Sequence, residues 1–133
     1  MTTVAFDGTT LAADSQINGS YVEYGNKIEK VGNITIACAG TVSEIALFKR
    51  WCRDRTKDKP TLTDFSCLEI RSGKVYYYDE NLEPLTPSIP VAIGSGSDFA
   101  MGAMLAGATA KEAVKIACKL DSNSGGKIKT VTL

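Results

Sequence analysis

The sequence predicts a layered α+β domain, one unit over residues 1–133. Three observations lead there. β-prone runs come in pairs joined by tight-turn dipeptides, Asp7-Gly8 in the first and Ser72-Gly73 in a later one, the mark of antiparallel hairpins. Helical periodicity is gathered in two places, between the strand pairs and after them, instead of alternating with each strand as a parallel sheet requires. Hydrophobic residues at 44% and charged residues at 23% suit a folded, water-exposed domain with a core.

Composition also excludes. Fifteen basic and fifteen acidic residues cancel, leaving no global field to draw nucleic acid or an acidic membrane. No apolar stretch approaches the ~20 residues that cross a bilayer, and the N-terminus lacks a charged-then-apolar secretion pattern, so the expected location is the cytoplasm. The chain has no histidine, which removes Ser-His-Asp and Cys-His catalysis and most zinc sites. A hydrolase built from it must activate its nucleophile with a lysine, a carboxylate or an amine, and no metal or other cofactor is called for. Cys38, Cys52, Cys67 and Cys118 contain no C-x-x-C pair and read as reduced thiols, although an even count leaves disulfides open.

In chain order, Thr3–Phe6 and Thr10–Ala13 form a hairpin about Asp7-Gly8. A two-residue turn would put Asp14 opposite residue 1 and a three-residue loop would put it opposite Thr2; the sequence does not choose. Removal of Met1, expected before a side chain as small as threonine's, makes Thr2 the first residue. Thr2 then holds both a hydroxyl and an α-amine that titrates near neutrality and can act as its base; the plain alternative is a terminus without a role. Residues 15–20 are polar with a turn at Asn18-Gly19, and 21–24 form a short strand. Residues 27–31 alternate polar and apolar, a half-buried strand headed by Lys27. Residues 33–39 are a nearly continuous apolar run ending at Gly40, a central strand covered on both faces.

Thr41-Val42-Ser43-Glu44 reads as a capping box opening a helix to about Arg55, with Ile45, Phe48 and Cys52, joined by Leu47 and Trp51, as its buried stripe. The basic residues 49–59 favour the helix dipole more than they make a nucleic-acid patch, because Asp54 and Asp58 dilute them. A second hairpin follows, Phe65–Arg71 and Lys74–Tyr78, whose tyrosine run implies strand packing with one exposed ring. Residues 79–90 carry three prolines and are expected to be irregular. Strand 91–93 leads through Gly94-Ser95-Gly96 to a helix over 99–106, closed by Gly107. With no P-loop lysine and no full G-x-G-x-x-G, this reads as a helix packed tightly on the sheet and capped by Ser97, in preference to a phosphate cradle. Thr109-Ala110-Lys111-Glu112 is a second capping box, opening a helix to Leu120 with Ala113, Ile116, Ala117 and Leu120 on one face. A turn over 121–126 leads to a last strand, 127–133.

Six blocks in order, Thr2-Thr3-Val4, Ala12-Ala13-Asp14-Ser15, Asn26-Lys27-Ile28, Ala39-Gly40-Thr41, Ala92-Ile93-Gly94-Ser95-Gly96-Ser97 and Asp121-Ser122-Asn123-Ser124-Gly125-Gly126, span nearly the whole chain. In them the sequence resembles the proteasome β-subunits and the bacterial ATP-dependent heat-shock-locus peptidase, within the N-terminal-nucleophile hydrolases. The resemblance implies a four-layer αββα sandwich, reduced here because the residues between the first helix and Phe65 leave no room for the second helix of that layer. It implies a threonine-type endopeptidase in which Thr2 forms an acyl-enzyme ester and Lys27, paired with Asp14, keeps the amine usable as a base. Gly40 would give the oxyanion its backbone N–H. Ser95, Asp121 and Ser124 would hold the amine and a catalytic water, and Cys38 and Val42 would line the pocket for the side chain before the cut. A homo-oligomeric ring fed unfolded protein by an AAA+ unfoldase is implied as well. The opening hairpin is shorter than the family's and no propeptide precedes Thr2, so activation would rest on methionine removal; a retained Met1 leaves an amide where an amine is needed. Two other readings stand beside it: an amidohydrolase of small amides acting without an unfoldase, and a non-catalytic assembly subunit.

Overall fold

The computed structural model describes residues 2–133. Its strands are β1 (Thr3–Phe6), β2 (Thr10–Ala13), β3 (Gln16–Asn18), β4 (Val22–Tyr24), β5 (Ile28–Val31), β6 (Ile34–Gly40), β7 (Phe65–Arg71), β8 (Lys74–Tyr78), β9 (Val91–Gly94) and β10 (Lys129–Thr132). Its helices are α1 (Val42–Arg53), α2 (Ser97–Leu105) and α3 (Ala110–Leu120). One antiparallel sheet runs β10-β2-β1-β9, a second runs β5-β6-β7-β8, and β3 pairs with β4 alone.

The period-2 alternation of the central strands sorts the core. Val4, Phe6, Leu11 and Ala13 of the first sheet meet Ile28, Ala37, Ala39, Leu68 and Ile70 of the second. On the opposite face of the first sheet, Ala5 and Ala12 meet Ala100 and Met104 of α2 and Ala110, Ala113, Val114 and Ala117 of α3. On the opposite face of the second, Ile36, Cys38, Cys67 and Tyr78 meet Phe48 and Trp51 of α1. Residues 54–64 contain no helix, so α1 covers its side by itself. Among the described residues, no helix is long and apolar enough to cross a membrane.

The opening hairpin takes neither register read from the sequence. Val4 lies opposite Ala13 and Phe6 opposite Leu11, so Asp14 faces Thr3, whose carbonyl accepts the Asp14 amide at 3.1 Å. Asp7 is the cause: its carboxylate accepts the amides of Thr9 and Thr10 at 2.9 Å each and closes a longer loop than a two- or three-residue turn. The same carboxylate accepts the Ala110 amide at 2.8 Å, tying the loop to the first turn of α3.

Other local expectations are corrected by tertiary contacts. Residues 16–18 pair as a strand instead of remaining a polar turn. Thr41 makes no side-chain cap; its hydroxyl donates to Asp64, while Glu44 accepts the amides of Thr63 and Asp64, so the expected box is spent on the incoming β7 loop. Ser97 is the first residue of α2, not its cap, which is Gly96. The Thr109 and Glu112 box forms as read. Ile116 and Leu120 face outward, the buried stripe of α3 being Ala110, Ala113, Val114 and Ala117. None of the three tyrosines of β8 is exposed.

Arg55, read as part of a basic helix end, lies beyond α1 and ion-pairs with Glu69, which is 0% exposed, while stacking on Trp51 and Tyr78. Arg55→Ala would strand that carboxylate with the Tyr78 hydroxyl at 3.0 Å and Arg71 at 3.8 Å. The variant is expected to lose about 3 kcal/mol in denaturant unfolding, and Arg55→Ala with Glu69→Leu to regain most of it.

Candidate active site

β1 delivers Thr2 to the interior, 5% exposed, because β1 is the central strand between β2 and β9. The hairpin register then sets Asp14 beside it, and the start of β5 brings in Lys27. The Lys27 ammonium donates to Thr2 Oγ1 at 3.0 Å and to Asp14 Oδ1 at 2.8 Å. Asp14 is 0% exposed, yet its charge is well answered: Oδ1 also accepts the Thr3 amide at 3.0 Å, and Oδ2 accepts the amides of Gln16 at 3.2 Å and Gly125 at 3.0 Å. Burial pushes the Lys27 ammonium below its ordinary 10.5, with Asp14 pulling the other way. An ammonium held at a hydroxyl this way lowers the cost of forming an alkoxide there.

Gly40 ends β6 immediately before α1, so the positive end of the helix dipole is near the same place. At φ +124° its missing side chain is required, since a Cβ would overlap the Asp64 carbonyl. Thr2, Lys27, Cys38, Gly40 and Val42 share the lining of a cleft of about 250 Å³.

Ser95, Asp121 and Ser124 form a connected cluster. Asp121 Oδ2 accepts the Ser95 hydroxyl at 2.6 Å and the Ser124 hydroxyl at 2.7 Å, and Ser95 Oγ also reaches the Thr2 carbonyl at 3.4 Å. Burial raises Asp121, but the donations from Ser95, Ser124 and the Asn123 amide outweigh it and hold the carboxyl below its ordinary value. These three join the site through Thr2 and Thr3; the cleft itself is lined by others.

Three contributors were missed in the sequence. Thr3 bonds Ser124 through its hydroxyl at 2.8 Å and Asp14 through its amide, so it bridges the two clusters. Gly94 and Gly96 wrap the first residues so closely that a Cβ on either would overlap Thr2 or Thr3. Their signal was the Gly94-Ser95-Gly96 run, whose reading as tight packing was right in kind. Three of the cysteines are poor rival nucleophiles: burial pushes Cys52 up to about 11 and also raises Cys67 and Cys118. Among the described residues no group of Cys, Asp or Glu is arranged to hold a metal ion.

No protein-family model matches the sequence, and no curated protein matches it. Solved structures do. The complex of Thiobacillus denitrificans BPH with epoxomicin superposes with a TM-score of 0.72 at 17% identity, over 99% of this chain and 97% of that one. BPH alone gives 0.73 at 17% identity, over 99% and 96%. Eukaryotic HslV from Trypanosoma brucei gives 0.67 at 20% identity, over 99% of both chains. The chain has the fold of these BPH and HslV structures. An HslV-type fold is what the six sequence blocks implied, and it is reached here with α1 as the lone helix on its side. At these identities the likeness is one of fold, and the chemistry must be argued from this chain's own residues.

Proposed function

We propose that this chain is a threonine-type endopeptidase whose nucleophile is Thr2 after removal of Met1, a residue outside those described. The observation that carries the reading is the Lys27 ammonium 3.0 Å from Thr2 Oγ1 with the buried Asp14 carboxylate behind it. Thr2 Oγ bonds to the peptide carbonyl carbon as its proton passes to the Thr2 α-amine; the C–N bond then breaks and the amine returns that proton to the leaving nitrogen. Water repeats the sequence on the ester, releasing the acid and restoring the hydroxyl. The Gly40 amide and the α1 dipole stabilise the oxyanion. Ser95, Asp121 and Ser124 orient the amine and the water, and Cys38 and Val42 contact the substrate side chain before the cut.

The three core clusters support reading residues 1–133 as one four-layer αββα domain, thin on the α1 side. A homo-oligomeric ring working with an AAA+ unfoldase completes the proposal. The lone α1 favours a second reading, an amidohydrolase of small amides acting without an unfoldase; size measurement of the active form separates the two.

Mass analysis of the natural N-terminus, with fluorogenic peptide cleavage by wild type and Thr2→Ala, tests the reading: a free Thr2 and cleavage lost in the variant are expected, and equal rates would refute it. The pH profile of kcat/KM is expected to be a bell. Its acid limb rises as the Thr2 amine loses its proton. Its alkaline limb falls as Lys27 deprotonates, below the ordinary lysine value because it is buried. Activity still rising at pH 10.5 would contradict this assignment.

A further inference from the structure

The cleft beside Thr2 is built by three periodicities. Ile36, Cys38 and Gly40 alternate along β6, Lys27 and Glu29 along β5, and Val42, Ile45 and Lys49 follow at i, i+3 and i+7 on α1. The walls are apolar over Ile36, Cys38, Val42 and Ile45. One charged feature remains. Lys49 Nζ meets Glu29 Oε1 at 2.7 Å, bridging α1 to β5 across the cleft. Glu29 lies two residues beyond Lys27, roughly 7 Å further along the backbone.

We propose that the Glu29–Lys49 pair closes the far end of this pocket and sets its selectivity for an uncharged apolar substrate side chain. This rests on the reading of Thr2 as the nucleophile, which makes the cleft the place for the side chain before the cut. Each charge of the pair already has its partner at hydrogen-bond distance. An arriving cation must displace Lys49 to reach Glu29, and an arriving carboxylate must displace Glu29 to reach Lys49. Either leaves one like charge facing the ligand, which is discrimination by repulsion added to discrimination by fit. A leucine-like side chain uses the apolar walls and leaves the pair intact. The two side chains are 31% and 40% exposed, so the pair adds little to stability and variants at both positions keep the fold.

The test measures equilibrium binding of acetyl-Ala-Ala-Leu, acetyl-Ala-Ala-Arg and acetyl-Ala-Ala-Glu, the product-like peptides, to Thr2→Ala protein that is otherwise unchanged or carries Glu29→Gln, Lys49→Met or both. The unaltered pair should bind the leucine peptide most tightly. Lys49→Met should improve the arginine peptide by about tenfold relative to leucine, and Glu29→Gln the glutamate peptide by a similar factor, with neither gain in the double variant. Unchanged arginine-to-leucine and glutamate-to-leucine affinity ratios in all four proteins, or a charged peptide preferred by the unaltered pair, would overturn the inference. Because binding needs no turnover, a failure of hydrolysis counts against Thr2 and not against the pair.

Discussion

Lys27→Ala is expected to cut kcat/KM by about 10²–10⁴-fold, the range for losing a positioned proton-handling group. It is also expected to destabilise the fold, because Asp14, 0% exposed, keeps its three amide donors but loses the ammonium that pairs with it. Stranding a buried carboxylate costs about 3–5 kcal/mol, and the remaining amides put the value at the low end. Lys27→Arg separates the two effects. A guanidinium still answers Asp14 and should restore most of the stability, but its planar fork cannot hold the Thr2 hydroxyl as a compact ammonium does, so activity stays low. Peptide hydrolysis at a single pH alongside denaturant unfolding reads both.

Gly94→Ala is the second large effect, and it acts on Thr2 without replacing any group of the proposed mechanism. Gly94 sits at φ +96°, and a Cβ there would overlap the Thr2 carbonyl. Thr2 must move. A displacement near 1 Å costs about 10²-fold in rate, and the backbone conformation adds about 1–2 kcal/mol of strain. Gly73→Ala is the control, at φ +74° with nothing within 4 Å of the added carbon. It should show the strain alone, with kcat/KM per folded molecule unchanged.

What the sequence revealed follows the range of the contacts involved. The β7–β8 hairpin was readable to the residue because Ser72-Gly73 fixes its turn locally, and the register Arg71 to Lys74 follows from it. The β1–β2 register was not, because Val4, Ala5, Leu11, Ala12 and Ala13 are all buried, leaving no alternation to count, and the loop depends on the Asp7 carboxylate. The α3 stripe was misjudged toward the larger Ile116 and Leu120. The face that packs is the one small enough to approach Ala5 and Ala12, a demand visible only once the sheet is there.

The site divides the same way. Thr2 and Asp14 flank one hairpin, so turn chemistry alone brings them near each other, and Lys27 follows two short strands later, just before β5. Ser95, Asp121 and Ser124 come from distant elements and were named only through resemblance. Thr3 carried no signal, being one more β-branched residue in a strand. The Glu29–Lys49 pair looked like the polar face of a strand and the basic end of a helix, two ordinary features until α1 is laid across β5.

The most direct test is the mass of the N-terminal peptide after treating protein from its natural host with epoxomicin, the compound found in complex with BPH. Under the proposal the adduct maps to the peptide that begins at Thr2, with Met1 gone, and is absent from Thr2→Ala. An unmodified Thr2, or a label that persists in Thr2→Ala, would contradict the central claim.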